Sequence, residues 1–187
     1  MLGPVLDEVE LIGGAERRAI VIAAPDPGWP HRFREAARVI RTSLGATALR
    51  VDHVGSTAVP GLAAKPIIDV QLSVSDVADE PAYLPRLEAA GYRLRVRERD
   101  HRMLRTAALD LHLHVCGEGS PWERRHLLFR DWLRRDGLDR RRYQECKQSL
   151  AARPWPTLQA YADAKGATIA AIMVRAEAWA RSSAWTP

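Results

Sequence analysis

The sequence predicts an α/β (α+β) fold in which helices flank a β-sheet and the C-terminal third is helical. Up to about residue 118, short apolar or alternating segments are interleaved with segments of helical period, and beyond it only the helical period remains. A length of 187 residues suits one domain. We place that domain at 19–187 and expect residues 1–18, which carry glycines and charges with weak periodicity, to be a flexible or peripheral lead.

The first half of the domain begins with a β-rich run, Ala19 to Ala24, that ends in a proline-rich turn. Apolar residues recur at helical spacing from His31 to Leu44, and Gly45 ends that predicted helix. The next predicted elements are strands at 48–54, 67–74, 92–98 and 101–107 and a helix at 79–90. This mixture of strands and helices is typical of a sheet covered by helices.

The segment from Leu109 to Val115 alternates apolar and polar residues. Because successive side chains of a strand point to opposite faces, the pattern predicts a half-buried strand with Asp110, His112 and His114 on its polar face. Two histidines in a His-x-His pattern on one strand are a recurrent metal-binding arrangement, and their nitrogens suit zinc, iron, nickel or manganese. Two alternatives stay open, namely a histidine that acts as general base and a solvated sheet face without a function.

The C-terminal third has a clear helix start at Ser120-Pro121-Trp122-Glu123. Serine suits the N-cap, proline the first helical position and glutamate the third, which together form a capping box. The predicted helices of this part cover 122–135, 139–152 and 156–181.

A Gly-Ser turn at Gly55 and Ser56 follows the predicted strand 48–54. Glycine lets backbone N–H groups approach phosphate oxygens closely, and a small hydroxyl adds one donor. Asp69 lies in an apolar run, where a carboxylate is costly to bury without a positive partner such as a divalent metal. The alternative is that Ser56 caps a helix and Asp69 pairs with Lys65 or an arginine.

Lysine is rare in this arginine-rich chain and occurs at positions 65, 147 and 165. Tyr143 and Lys147 are four residues apart on one predicted helix face, as are Tyr161 and Lys165. In a nucleotide site such a tyrosine would stack on a base and such a lysine would reach a phosphate. The alternative is two amphipathic helices with ordinary polar edges.

Two further residues flank the Gly-Ser turn. Lys65 lies between the turn and Asp69, where its ammonium would neutralise a phosphate charge or pair with the carboxylate. His53 precedes the turn and is expected either to donate to phosphate or to cap the end of the strand.

The composition restricts the partners. The net charge is +5, most of it from arginine, a bias that GC-rich genomes commonly produce. RNA is a weaker alternative partner, and binding of that kind would fall steeply with added salt. The arginines that suggest RNA lie at 124, 125, 130, 134, 135 and 140–142.

The cysteines and the hydropathy favour a cytoplasmic protein that does not cross a membrane. Cys116 and Cys146 are too few for a disulfide framework and are expected to be free thiols. The first residues lack the pattern of a signal peptide, and no apolar run approaches the roughly 20 residues that span a bilayer.

The segment from His53 to Asp69, HVGSTAVPGLAAKPIID, resembles the GrpB family of the nucleotidyltransferase superfamily. The likeness runs from about Ile20 to Trp179, and the helix 129–134 and the two tyrosine–lysine pairs support it. The resemblance implies a nucleotidyltransferase-like mixed sheet. It also implies that the Gly-Ser turn grips a nucleotide and that His112 and His114 belong to the site.

The resemblance further implies two catalytic carboxylates, Asp69 and Asp110, and a divalent metal, with Mg²⁺ or Mn²⁺ expected first. The superfamily usually places two acids one residue apart on the first acidic strand, whereas this chain has Asp69 and Gln71. Glutamine is neutral and a weaker metal ligand than a carboxylate. The expected function is therefore metal-dependent transfer of a nucleotidyl group from a nucleoside triphosphate to an unknown acceptor. The alternative is a protein of the same fold that binds nucleotide or metal without catalysis.

Overall fold

The computed structural model describes residues 9–16 and 19–187 of the chain. Within these residues six strands form one mixed sheet in the order β1-β4-β5-β6-β3-β2. The strands are β1 (Glu10–Leu11), β2 (Arg50–Val54), β3 (Ile68–Val74), β4 (Tyr92–Glu98), β5 (His101–Thr106) and β6 (Leu111–Gly117). Strands β3 and β6 are parallel, and the other neighbours are antiparallel. The mixed sheet confirms the predicted fold class.

The parallel pair β3–β6 decides which polar residues meet. Its register sets Asp69 opposite His112 and Gln71 opposite His114. Directly opposed residues of neighbouring strands share a face of the sheet and lie within side-chain reach. The carboxylate of β3 and the histidines of β6 therefore lie side by side at the centre of the sheet.

The opposite face of the sheet carries the main hydrophobic core. Helices α1 (Trp29–Leu44) and α2 (Leu84–Ala89) pack there. The apolar positions of β3, such as Val70 and Leu72, alternate with its polar ones and are fully buried in this core together with Ile40 of α1. Helices α1 and α2 thus cover the apolar face of the sheet, and the C-terminal helices lie over the polar face.

The C-terminal helices are α3 (Pro121–Arg135), α4 (Gly137–Ala151), α5 (Leu158–Ala164) and α6 (Gly166–Ser183). Ser120 is the N-cap of α3 and accepts a hydrogen bond from the Glu123 backbone N–H at 3.2 Å, as the capping box predicts. The predicted helix at 156–181 is instead divided into α5 and α6 beside Gly166, a residue of low helix propensity. A cluster with Leu62 and Ile172 packs these helices against the loop after the Gly-Ser turn.

Two segments differ from the prediction. Ala19 to Ala24 makes only an isolated bridge between Ala23 and Ala64, since prolines follow at once. The helix at 79–90 is shorter because Pro81 and Pro85 divide it into a 3₁₀ turn and α2.

The lead, which we expect to be flexible or peripheral, is described only in part. Residues 1–8 and 17–18 lie outside the described residues, and β1 is an edge strand paired with β4.

Within residues 9–16 and 19–187, none of the helices is both long and apolar enough to cross a bilayer.

Candidate functional site

A cavity of about 580 Å³ lies between the polar face of the sheet and the C-terminal helices. The Gly-Ser turn, the central strands β3 and β6, and helices α4, α5 and α6 all contribute to its wall. Ten of the residues that the sequence singled out for the turn, the polar strand faces and the tyrosine–lysine pairs line it. They are Gly55, Ser56, Lys65, Asp69, His112, His114, Tyr143, Lys147, Tyr161 and Lys165.

The Gly-Ser turn lies directly against Asp69. Gly55 has φ 69° and ψ −169°, a conformation that is essentially restricted to glycine. A Cβ atom at this position would overlap the carboxylate of Asp69. Glycine is therefore required both by the backbone angle and by the close approach of the carboxylate.

His53 stabilises the turn from behind and does not line the cavity. It is buried, its ring stacks on Phe33 at a centroid distance of 4.8 Å, and its Nε2 lies 3.0 Å from Thr57 Oγ1. Burial lowers the pKa of His53 to about 4, so the ring is neutral near pH 7. The hydroxyl of Thr57 in turn donates to the Ile67 carbonyl at 3.2 Å. His53 thus supports the turn and lies outside the cavity lining.

Asp69, His112 and His114 form a cluster with the geometry of a metal site. One ligand atom of each lies within 4.8 Å of the others. Asp69 Oδ1 is 3.3 Å from His112 Nδ1 and 3.5 Å from His114 Nε2. Burial acts to raise the pKa of Asp69, but the interactions with the two histidines outweigh it and hold the pKa below its usual range. The carboxylate is therefore ionised near neutral pH and available as a ligand.

A second layer of side chains orients His114. His114 Nδ1 lies 3.0 Å from His101 Nε2, and His101 Nδ1 lies 2.9 Å from Glu98 Oε2. The His101 ring stacks on Trp122 at 4.4 Å. Burial lowers the pKa of His114, which favours the neutral imidazole that metals bind. Sequence reasoning missed His101, because its contact with His114 depends on the register between β5 and β6.

The three lysines of the chain converge on this cavity. Lys147 Nζ donates to Ser56 Oγ at 3.1 Å and lies 4.9 Å from the centroid of the Tyr143 ring. Lys65 and Lys165 both lie over the ring of Tyr161, at 5.3 and 4.9 Å. The lysine cluster thus brings positive charge to the cavity next to the Gly-Ser turn.

The ammonium groups pay an electrostatic penalty in the absence of an anion. Burial, with repulsion from Lys165, lowers the pKa of Lys147 to about 7. Burial, with repulsion from Lys65, also lowers the pKa of Lys165. An anion bound among them would relieve this penalty and restore the charged form.

Asp110 is not brought to the cluster. It precedes β6, its side chain is exposed, and it lies 2.8 Å from the hydroxyl of Thr106 and 3.4 Å from the guanidinium of Arg32. Alternation alone would set it on the face of His112, but β6 begins at Leu111 and the chain before it turns away. Asp69 is thus the carboxylate of the cluster.

Gln71 lies two residues after Asp69 on the same face of β3. It is fully buried, and within the described part of the chain neither atom of its amide has a hydrogen-bond partner. The position where the sequence led us to look for a second carboxylate is therefore neutral.

The arginines that suggested RNA are mostly engaged within the protein. Arg124 pairs with Glu177 at 2.6 Å, Arg130 with Asp131 at 2.7 Å, and Arg134 donates to the Ala58 carbonyl at 2.9 Å. Guanidinium groups used in this way hold helices together and are less available to a nucleic-acid backbone.

The comparisons with known proteins agree with this architecture. The family model described as GrpB protein matches residues 19–175. A UPF0157 protein from Halalkalibacterium halodurans is 48% identical over 163 residues, which are 86% of this chain and 84% of the relative. Another, from Streptomyces coelicolor, is 45% identical over 175 residues and 94% of each chain.

A solved structure extends the agreement to three dimensions. The crystal structure of conserved protein GrpB from Enterococcus faecalis is 30% identical and matches with a TM-score of 0.75, over 85% of this chain and 99% of that one. The family model covers well over half of the sequence. The chain belongs to the GrpB family.

Proposed function

We propose that this protein transfers a nucleotidyl group from a nucleoside triphosphate to an acceptor in a metal-dependent reaction. One observation carries the proposal: the Gly-Ser turn, the lysine cluster and the Asp69–His112–His114 cluster converge on one cavity. Nucleotidyl transfer needs a phosphate-binding turn and a metal held by a strand carboxylate. The convergence supports the proposal, because the residues that would meet these two requirements lie side by side.

The donor set of the Asp69–His112–His114 cluster fits a divalent ion. One carboxylate and two imidazoles suit Mn²⁺, Zn²⁺ or Ni²⁺ better than Mg²⁺, which prefers oxygen ligands. A bound ion would supply a Lewis acid at the phosphate oxygens. The resemblance implies Mg²⁺ or Mn²⁺ first, and the donor set argues against Mg²⁺. We therefore favour Mn²⁺.

The lysines and the turn would bind the phosphates. Lys147 and the hydroxyl of Ser56 already share a hydrogen bond, and both would turn to phosphate oxygens. Lys165 and Lys65 would offset the remaining negative charge. A hydroxyl of the acceptor would attack the α-phosphorus and lose its proton to solvent. A new P–O bond would form, the bond from the α-phosphorus to the α,β-bridging oxygen would break, and pyrophosphate would leave.

A second candidate function is binding of nucleotide or metal without transfer. Gln71 and the remote Asp110 leave Asp69 as the carboxylate of the cluster, which favours this candidate. Release of pyrophosphate in the presence of candidate acceptors distinguishes the two functions, because binding alone produces none.

Calorimetric titration of each of the four nucleoside triphosphates into the Mn²⁺-loaded protein tests the binding step of the proposed function, and pyrophosphate release tests the transfer. We expect Lys147→Met to weaken the binding of the best triphosphate by about tenfold to a hundredfold, since a hydrogen bond to a charged group contributes roughly 1.5–3 kcal/mol. The matched control is Arg38→Met, which removes one exposed positive charge from α1 on the opposite side of the sheet. It should leave the affinity nearly unchanged.

The same titration has a proton readout. Because the pKa of Lys147 is about 7, its amine is mostly neutral at about pH 8 in the free protein. A bound phosphate favours the charged form, so binding should take up about one proton at that pH in the wild-type protein and fewer in Lys147→Met. Equal affinity and equal proton uptake in both proteins would contradict the assignment of Lys147.

A further prediction concerns the second layer of the cluster. His101→Phe retains the stacking on Trp122 but removes the hydrogen bond to His114, so Mn²⁺ should bind about 10- to 100-fold more weakly. Titration of Mn²⁺ into the metal-free variant measures this, with the exposed His31 of α1 replaced in the same way as control. Unchanged affinity in His101→Phe would show that His114 needs no such support.

A further inference from the structure

A second charged cluster lies on the wall of the same cavity, at the end formed by β4 and β5. It consists of Arg95, Arg105 and Glu16, all of which line the cavity. The register between β4 and β5 shifts between Leu94 and Val96, which places Arg95 in a β-bulge. Bulges redirect side chains, and the side chain of Arg95 at this bulge lines the cavity.

One carboxylate holds both guanidinium groups. Glu16 Oε1 lies 3.8 Å from Arg95 Nη2 and also pairs closely with Arg105 Nη1. Arg95 is only 5% exposed, so its charge depends on this anion and on the carbonyl of Gly14, to which it donates. The two arginines therefore form a built anion site, and a side chain of the same chain occupies it.

The occupant belongs to an N-terminal segment that forms part of the cavity wall. Leu11 and Ala15 line the cavity beside Glu16. The segment is tied to β4 by the two residue pairs of β1, by a hydrogen bond of 2.9 Å from the Ile12 N–H to the Arg95 carbonyl and by the bond from Arg95 to the Gly14 carbonyl. The Leu158 N–H also donates to the Glu16 carbonyl at 3.0 Å. The carboxylate of Glu16 itself pairs with the two arginines, so another carboxylate can replace it there while these backbone bonds stay in place.

The anion site is aligned with the metal-type cluster. Arg105 is the register partner of His112, which is in turn the partner of Asp69. These three side chains therefore form one row across the same face of the sheet, on strands about 5 Å apart. At the Asp69 end of this row, Lys147 of α4 donates to Ser56 of the Gly-Ser turn, which lies against Asp69.

We propose that Arg95 and Arg105 bind a carboxylate group of the acceptor substrate, and that Glu16 occupies this site in the free protein. The assignment to an acceptor rests on the proposed function, in which the lysines hold the donor phosphates. A carboxylate is the group that the site already binds, and paired guanidinium groups match its geometry. The acceptor is accordingly an organic acid.

The test is calorimetric titration of succinate, with inorganic phosphate as the second arm. In the wild-type protein the tethered carboxylate of Glu16 competes with succinate for the two arginines at an effective concentration in at least the millimolar range. Glu16→Gln should therefore bind succinate at least about tenfold more tightly than wild type. The matched control is Glu10→Gln, which removes the same charge from the same segment. Glu10 pairs with Arg97 and not with Arg95 or Arg105. The Glu10→Gln variant should bind succinate as weakly as wild type.

Three variants in the Glu16→Gln background assign the gain to this site. Adding Arg105→Gln should abolish it, Arg105→Lys should retain only part of it, and Lys147→Met should leave it intact. Circular dichroism establishes that each variant is folded. The proposal is overturned if Glu16→Gln and Glu10→Gln bind succinate equally, if Lys147→Met abolishes the gain, or if phosphate gains affinity and succinate does not.

Failure of this inference is separable from failure of the proposed function. Triphosphate binding that depends on Lys147, without a succinate gain in Glu16→Gln, would leave the donor site standing and remove the carboxylate site. A succinate gain that depends on Arg105, without triphosphate binding, would leave the carboxylate site standing and remove the donor site.

Discussion

Replacing Asp69 with asparagine is expected to weaken Mn²⁺ binding by at least about a hundredfold, since even loss of a supporting residue costs up to that factor. Asp69 provides the carboxylate of the cluster, and an amide of nearly the same shape has no charge to offer the ion. His112 and His114 would remain, but as neutral donors only. Titration of Mn²⁺ into the metal-free protein near neutral pH measures the loss.

Asp110→Asn is the matched control, because the sequence assigned both carboxylates to catalysis while the structure places Asp110 with Arg32 and Thr106. It should bind Mn²⁺ like the wild type. An equal loss in the two variants would mean that Asp110 reaches the ion after all.

The pH dependence of the stability of the metal-free protein independently measures how much the pairing of ionised Asp69 stabilises the fold. Its pKa in the folded protein lies below its ordinary value, so its pairing stabilises the protein above about pH 4 and is lost as the pH falls. Denaturant unfolding across this range should show a smaller loss of stability on acidification in Asp69→Asn than in the wild type.

Replacing Gly55 with alanine is expected to destabilise the protein by about 3 kcal/mol or more. The backbone angles of Gly55 are strained for any other residue, at a cost of roughly 1–3 kcal/mol. The added Cβ would also overlap Asp69, and such overpacking lowers the free energy of unfolding by a similar amount. Thermal unfolding should show a midpoint lower by roughly 6–12 °C, and Mn²⁺ should bind more weakly because Asp69 must move.

Gly61→Ala separates the two causes. Gly61 also has a positive φ, 75°, but a Cβ there would meet nothing within 4 Å. We expect a loss of only about 1 kcal/mol and unchanged Mn²⁺ affinity. If Gly55→Ala were no worse than Gly61→Ala, the contact between the turn and Asp69 would not be the reason for the glycine.

Much of the fold was predictable because the patterns are local. Alternation located β6 to within two residues, and the predicted strands at 92–98 and 101–107 match β4 and β5 to within one residue. The capping box located the start of α3. The edge strand β1 was not predictable, since a strand of two residues has no period and depends on its pairing with β4.

The candidate site was predictable in its residue types and only partly in its membership. The sequence pointed to the Gly-Ser turn, Asp69, the histidines and the lysines, all of which line one cavity. Asp110 was included because strict alternation extends one residue beyond the true start of β6. His101 and Arg105 were missed because nothing local distinguishes them from the other polar residues of β5.

The sequence by itself determined the family, the mixed α/β architecture and the chemical groups on offer, because motif, period and capping are properties of neighbouring residues. Tertiary structure alone decided which of those groups meet. The parallel register of β3 with β6 sets Asp69 beside His112, and the antiparallel register of β5 adds Arg105 to the row. A shift of one residue would turn each of these side chains to the opposite face, so pairing between distant segments, and not local pattern, creates the site.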